Sequence, residues 1–342
     1  MTANGPGVGA SEELRAVAAE IEAGERFLLT THEGPDGDAL GSMLALHRIL
    51  TRLGRDSVMF LPAKEFPLPI EYRFLPLTDV FFDPPADIDD RTLVFLDCGN
   101  IDRMPVDFLH REDLRRLNID HHHDNTRFGD VNVVDVEASC TAQIVYELAA
   151  VLGVELDAET AGALYVGLVT DTGKFMYENT DVAAHRMAAA LIDAGVDVAD
   201  IYRRLYERVP PEKLRLLARA LEKVERFDDG RLSVAYVTAE DYEATGAGED
   251  LTEGIIDHVR SIEGTSVAAF VRDKSDGERA ARKVSLRSSD GAVDVSAIAR
   301  NYGGGGHQRA AGFGTNLPID ELVAELRAQL DAPPGAAGAN GH

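Results

Sequence analysis

Two periods of apolar and polar residues alternate along the first half of this chain. Short apolar runs at residues 26–31, 58–61, 92–96 and 116–119 read as strands. Apolar residues recur every three to four positions at 11–23, 39–53, 141–152 and 159–169, and these stretches read as helices. Ser11 stands where its side chain can cap the first of them. The run TLVFL at 92–96 is apolar throughout, as suits a central parallel strand covered on both faces. Strand and helix in alternation imply an α/β domain, a mostly parallel sheet flanked by helices. The Pro- and Phe-rich stretch 62–85 fits neither period.

The pattern then changes. Residues 181–221 are strongly helical, with an Ala-rich face and an Arg/Leu-rich face, and Pro210-Pro211 interrupts them. Strand patterns follow at 232–237, 266–271 and 283–287, with helices at 251–262 and 295–302. This is a smaller α+β domain. The division expected is a first domain at 11–195, a helical linker at 196–226 and a second domain at 227–331. Residues 1–10 are rich in Gly, Ala and Pro and are expected to be mobile. The tail APPGAAGANGH at 332–342 has too little apolar content to bury a core and is expected to be disordered.

Composition narrows the function. The 342 residues carry a net charge of −25, which excludes a protein that coats long nucleic acid, since phosphate contacts need a broad basic surface. Between residues 259 and 309, however, nine Lys/Arg face six Asp/Glu, a local charge of +3 that suits a small anion. No apolar run approaches the roughly 18–20 residues that span a bilayer, and MTANGPGVGASEEL lacks a charged-then-apolar leader pattern. A soluble, cytoplasmic protein with no membrane partner is expected. The two cysteines, Cys98 and Cys140, are too few for a disulfide framework and are expected to be small buried residues.

Candidate chemistry sits where the apolar runs stop. The first strand ends at TTHEGPDGDALGS, with His32, Asp36 and Asp38; the third ends at Asp97 in VFLDCGN. The fourth ends at Asp120, His121 and His122 in NIDHHHDN, and the helix at 159–169 is followed by Asp171 in LVTDTGKF. Each segment has an ordinary structural explanation, such as an Asp capping the helix near residue 39 or Gly173 ending a helix. Together they bring at least four carboxylates and two imidazoles to the strand-end crevice of an α/β sheet, where ligands bind. That set suits two divalent cations, a device for phosphate-ester hydrolysis. Asp97, at the sheet centre, is the best candidate to bridge them. Mixed His and Asp donors point to Mn²⁺, with Mg²⁺, Co²⁺ or Zn²⁺ behind it. Three consecutive histidines cannot all face one site. One ligates, one reaches the substrate, and His123 is a bystander.

A second candidate lies in the smaller domain. Gly303–Gly306 follows a predicted helix and precedes His307, Arg309 and an apolar AAGF segment. Glycines let backbone N–H groups approach an anion. Arg287, on the predicted strand VSLRSS, can fork onto a phosphate.

With these residues assembled, the chain resembles the DHH/DHHA1 phosphoesterase family, and within it the branch of nanoRNases that also act as pAp phosphatases. Asp120-His121-His122 carries the DHH triplet, GPDGDALGS the first motif, Asp97 the second, Asp171 the fourth, and YGGGGHQRAAGFG the carboxy-terminal DHHA1 motif. The motifs occur in family order over roughly residues 11–330. The resemblance implies one metal held by His32, Asp36 and Asp97, and another by Asp38, Asp97, His121 and Asp171. It implies that Asp120 orients a ligand, and that His122 contacts the scissile phosphate or protonates the leaving oxygen. Gly304, Gly305, Gly306, His307 and Arg287 would hold the nucleotide end that is not cut. Short RNA oligonucleotides and phosphorylated nucleotides are the implied substrates, and a homodimer the implied assembly. A phosphodiesterase for c-di-AMP or linear pApA fits the same residues. A non-catalytic nucleotide sensor would need only the second-domain clamp, yet every expected ligand position is filled.

Overall fold

A computed structural model describes residues 11–331 except 78, 275–280 and 290; the expected mobile start and disordered tail lie outside the described residues. The chain divides into two compact units, Met1–Glu207 and Arg208–His342. The division falls inside the stretch 196–226 and leaves its helical segments in different units.

In the first unit six strands form one sheet: β1 (Arg26–Thr30), β2 (Asp56–Phe60), β3 (Val80–Phe81), β4 (Thr92–Leu96), β5 (Arg116–Asp120) and β6 (Val131–Val134). All pair in parallel, in the order β3-β2-β1-β4-β5-β6. The helices among the described residues of this unit are α1 (Glu12–Ala23), α2 (Gly37–Arg52), α3 (Thr141–Val151), α4 (Ala158–Asp171), α5 (Val182–Asp193) and α6 (Val198–Tyr206). Their apolar stripes join one face of the sheet in a continuous core that includes Leu29, Leu40, Val94, Ile144 and Leu164. The other face buries Leu28, Phe60, Leu93 and Phe95 beneath the turns around Met104 and Leu109. Strand order reverses between β1 and β4. In such sheets the crevice at that reversal, beyond the carboxyl ends of the strands, is where ligands bind.

The helical stretch at 181–221 is three helices, because Gly195, at φ 105°, ends one and the Pro pair starts another. The second unit opens with that third helix, α7 (Pro211–Glu222). Its mixed sheet has the order β11-β12-β10-β9-β8-β7. The strands are β7 (Glu225–Phe227), β8 (Leu232–Val237), β9 (Val267–Asp273), β10 (Arg282–Ser288), β11 (Gly305–His307) and β12 (Ala310–Thr315). Helices α8 (Ala239–Thr245), α9 (Ile255–Arg260), α10 (Val295–Arg300) and α11 (Ile319–Asp331) complete it. α9 is shorter than the predicted helix at 251–262, since Gly254 adopts φ 83° and a separate 3₁₀ turn holds Glu249–Leu251. Val284, Leu286, Ile298, Phe313 and Leu326 build a separate core on one face. No helix among the described residues is long and apolar enough to cross a membrane.

Candidate metal and phosphoester site

The carboxyl ends of β1, β4 and β5 bring His32, Asp97 and Asp120 side by side. Asp36 caps α2, its Oδ1 accepting the N–H groups of Asp38 (3.0 Å) and Ala39 (3.1 Å). The helix-cap explanation for this residue is thus real, and it does not remove Asp36 from the site. Ligand atoms of His32, Asp36 and Asp97 lie within 4.8 Å of one another, as do those of Asp38, Asp97 and His121. Asp97 belongs to both groups. Asp171, the last residue of α4 rather than a residue beyond it, places Oδ2 3.7 Å from His121 Nε2.

Local structure holds each group. Asp97 adopts φ 55°, a left-handed conformation uncommon for a residue with a side chain, while its N–H still bonds Ile119 O at 3.0 Å. Such strain costs on the order of 1–3 kcal/mol and gathers at functional sites. The amino end of α3 points at Asp38, whose carboxylate accepts Thr141 N–H (2.7 Å) and Ala142 N–H (2.9 Å). Donors at a helix start stabilise a buried anion there. Thr141 Oγ1 also donates to Asp97 Oδ1 at 2.9 Å. α2 and α4 approach closely, and Gly167 is required: a Cβ there would stand 2.7 Å from Asp38 Oδ1. Asn179 Nδ2 donates to Asp171 Oδ2 at 3.2 Å.

The imidazoles have assigned directions. His32 Nδ1 faces Glu33 O at 2.9 Å and His121 Nδ1 faces Ala138 O at 3.3 Å. A carbonyl only accepts, so each Nδ1 carries the proton and each Nε2 is turned to the carboxylates. Nε2 of His32 and of His121 stand 3.5 and 3.6 Å from Asp97 oxygens. These gaps exceed a hydrogen bond. Ligands bound about 2.0–2.2 Å from one cation stand roughly 3–3.5 Å apart, so the spacing fits donors around a shared positive charge. His122 differs: its Nδ1 lies 2.7 Å from Asp120 Oδ1, and Asp120 Oδ2 accepts Asn125 Nδ2 at 2.5 Å. Asn125 also donates to Asn118 Oδ1 at 2.8 Å. His123 is exposed, outside the cluster.

The electrostatics show what the cluster is suited to hold. Asp38, Asp97, Asp120, His32, His121 and His122 are all under 8% exposed. Burial, joined by repulsion from Asp97 and Asp171, pushes the Asp38 carboxyl well above the usual range. Burial likewise raises Asp171 to about 7. Burial opposes ionisation of Asp97 too, but the imidazoles of His32, His122 and His121 outweigh it and hold that carboxyl well below its usual range. His121 shows the converse: burial disfavours its charged form, yet Asp171, Asp97 and Asp38 push it up to about 9. Carboxylates and imidazoles this close and this buried shift one another's proton affinity in opposite directions. The oxygens and imidazole nitrogens present fit divalent metal ions that would replace their protons. Cys98 and Cys140 are buried thiols at its base, as expected.

The second candidate group lies on the second unit. On β10, Val284 and Leu286 turn into the core, so Arg287 turns to the other face, opposite Ala268 and Ala310. The glycine run is half turn, half strand: Gly305–His307 forms the edge strand β11, joined to β12 through Gln308-Arg309. A Cβ at Gly304 would meet Gly312 O at 2.2 Å, and one at Gly306 would meet Ala310 O at 2.5 Å, whereas nothing lies within 4 Å of one at Gly305. His307 pairs with Ala310 across the hairpin.

Thr141, Asn118, Asn125, Asn179 and Gly167 hold the site but are absent from the set the sequence predicts. A signal existed for Asn118, a polar residue inside the apolar run of β5. None existed for Gly167 or Thr141, whose roles depend on which helices cross.

The fold and site define the class. Residues 26–168 match the DHH family, N-terminal domain, and residues 230–332 match the DHHA1 domain. The chain belongs to the DHH/DHHA1 phosphoesterase family. It is 38% identical over 318 residues to the bifunctional oligoribonuclease and PAP phosphatase NrnA of Thermus thermophilus, an alignment covering 91% of each chain. An exopolyphosphatase-related protein from Bacteroides fragilis shares the fold with a TM-score of 0.84 at 24% identity, over 95% of this chain and 97% of that one. RecJ from Thermus thermophilus, solved in complex with Mn²⁺, shares it with a TM-score of 0.55 at 16% identity, over 95% of this chain and 55% of that one.

Proposed function

We propose that this protein is a two-metal phosphoesterase that hydrolyses short RNA oligonucleotides and converts 3′-phosphoadenosine 5′-phosphate (pAp) to AMP and phosphate. The observation that carries this reading is Asp97, strained at the end of β4 and common to two groups of buried ligand atoms. In this reading His32, Asp36 and Asp97 hold one ion, and Asp38, Asp97, His121 and Asp171 the other. Mn²⁺ is the proposed ion, with Mg²⁺ or Co²⁺ as substitutes. The name of the Thermus NrnA supports the substrates, and the Mn²⁺ in the RecJ structure supports the metal. When bound, such a pair makes water more acidic and neutralises charge on phosphoryl oxygens.

The chain's own residues do the rest. Asp120, itself held by Asn125, fixes the ring of His122 through Nδ1 and leaves Nε2 to act. His122 then contacts the scissile phosphate or gives a proton to the leaving oxygen. The carboxylates are aimed by α3 and Thr141 before substrate arrives, so little reorganisation is needed at the moment of reaction. On the second unit Arg287, the backbone of Gly304–Gly306 and His307 bind the part of the nucleotide that is not cut. The homodimer implied by the family resemblance belongs to the same proposal, and light scattering checks it.

Purified protein with Mn²⁺ should be offered pAp, pApA, c-di-AMP and a labelled RNA ladder in parallel. Phosphate from pAp and mononucleotides from the shortest oligomers are expected, with chelator stopping both. If no substrate yields product in metal-replete buffer, the proposal fails; if c-di-AMP or pApA is strongly preferred, the substrate assignment moves to cyclic dinucleotide metabolism.

A further inference from the structure

Arg103 ends a short 3₁₀ turn, Ile101–Arg103, that follows Asp97 in the chain. Asn100 caps the turn, and the carbonyl of Arg103 accepts the N–H of Glu33 at 2.8 Å. The root of the side chain is therefore tied to the loop that carries His32. The half-buried guanidinium places Nη1 3.5 Å from Nε2 of His122. No carboxylate among the described residues pairs with it, although the chain carries a net charge of −25. A structural arginine in the same unit looks different: Arg91 bonds both Asp56 and Asp87 with Nη2 at 3.0 and 2.9 Å. Five N–H donors with one long contact to an imidazole leave most of the donating capacity of Arg103 unused. His122 Nδ1 is occupied by Asp120, so Nε2 is its working atom, and Arg103 stands at that atom.

We propose that Arg103 is a catalytic residue whose guanidinium grips a non-bridging oxygen of the scissile phosphate beside His122. The proposal rests on the phosphoesterase reading above. A planar fork of N–H donors matches two phosphate oxygens, and its fixed charge meets the charge that builds up there as phosphorus is attacked. Arg103 gives up no proton. Water loses a proton to solvent as its oxygen bonds to phosphorus, the ester P–O bond breaks, and the leaving oxygen takes a proton from His122, which regains one from solvent.

The test uses full-length protein loaded with Mn²⁺ and the variants Arg103→Ala, Arg103→Gln and Arg103→Lys. Arg103→Ala should lose about 10²–10³-fold in kcat on pAp, with Mn²⁺ stoichiometry and thermal melting unchanged. Guanidinium ion added at millimolar concentration should restore part of that loss, and Arg103→Lys should retain more activity than Arg103→Gln. Independently of turnover, inorganic phosphate should bind the Ala variant about tenfold or more weaker by calorimetry. Activity of Arg103→Ala within about threefold of wild type would overturn the assignment. So would loss of metal or of cooperative melting in both the Ala and Gln variants, since that marks a structural role. If wild-type protein turns over no phosphoester, the parent reading has failed, and equal phosphate affinity in wild type and Arg103→Ala would still sink this one.

Discussion

The candidate site of the first unit is made of side chains that burial disfavours, and that of the second of side chains that are missing. Asp38 and Asp171 are raised by burial, and Asp97 is held low against burial by the three imidazoles around it. Helix α3 and the paired α2 and α4 hold these groups in place against mutual repulsion. On the second unit the requirement is room. Gly304 and Gly306 are forced by the backbone of β12, while Gly305 faces open space and Arg287 has only alanines opposite. Charge is therefore the sensitive property in one unit, and volume in the other.

Removing charge at the shared carboxylate should break the comparison most severely. Asp97→Ala should leave less than about one ten-thousandth of wild-type turnover and abolish one Mn²⁺ site by titration; full activity in metal-replete buffer would disprove the bridging assignment. Gly167→Ala tests whether volume also matters in the first unit. Its added methyl would press on Asp38 Oδ1, 2.7 Å away, and on Ala142. Mn²⁺ affinity should fall about 10–100-fold, and an unchanged titration would show that the helix crossing does not position Asp38.

Proton competition gives the next effect. His121, raised to about 9, and Asp171, raised to about 7, would each have to lose a proton to serve as the proposed ligands. Protons compete more strongly as pH falls, so apparent Mn²⁺ affinity should rise with pH, by about tenfold or more from pH 6 to 7. Calorimetry in buffers of different ionisation enthalpy should detect the released protons, and a pH-independent affinity would contradict the electrostatic account. The smallest effect should come from the second unit. Gly305→Ala should melt within about 0.5 kcal/mol of wild type yet raise KM for short oligomers severalfold. Gly304→Ala should instead lose about 1–3 kcal/mol of stability. Equal stability of the two variants would remove the distinction between packing glycines and the open one.

The parallel sheet and the clustering of these acidic and histidine side chains were legible in the sequence because both are written in one dimension. An apolar run that stops at Asp97 or Asp120 marks a strand end and its crevice at once. β3 and β6 escaped, since the first is two residues long and both are only half covered. Asn125, Thr141 and Gly167 act on residues brought near by the fold, and no local pattern announces that. The glycine run carried an ambiguous message: flexible backbone and close backbone approach demand the same residue, and only coordinates show that β11 is a strand.

Strand order carries a further consequence for how the protein is made. β1 lies against β4, not only against β2, so the sheet's centre joins segments more than sixty residues apart in the chain. The donors run from His32 to Asp171, and α4 must pack on α2 before the last of them is in place. A chain emerging from the ribosome therefore completes the cluster late, once helix α4 has cleared the exit tunnel.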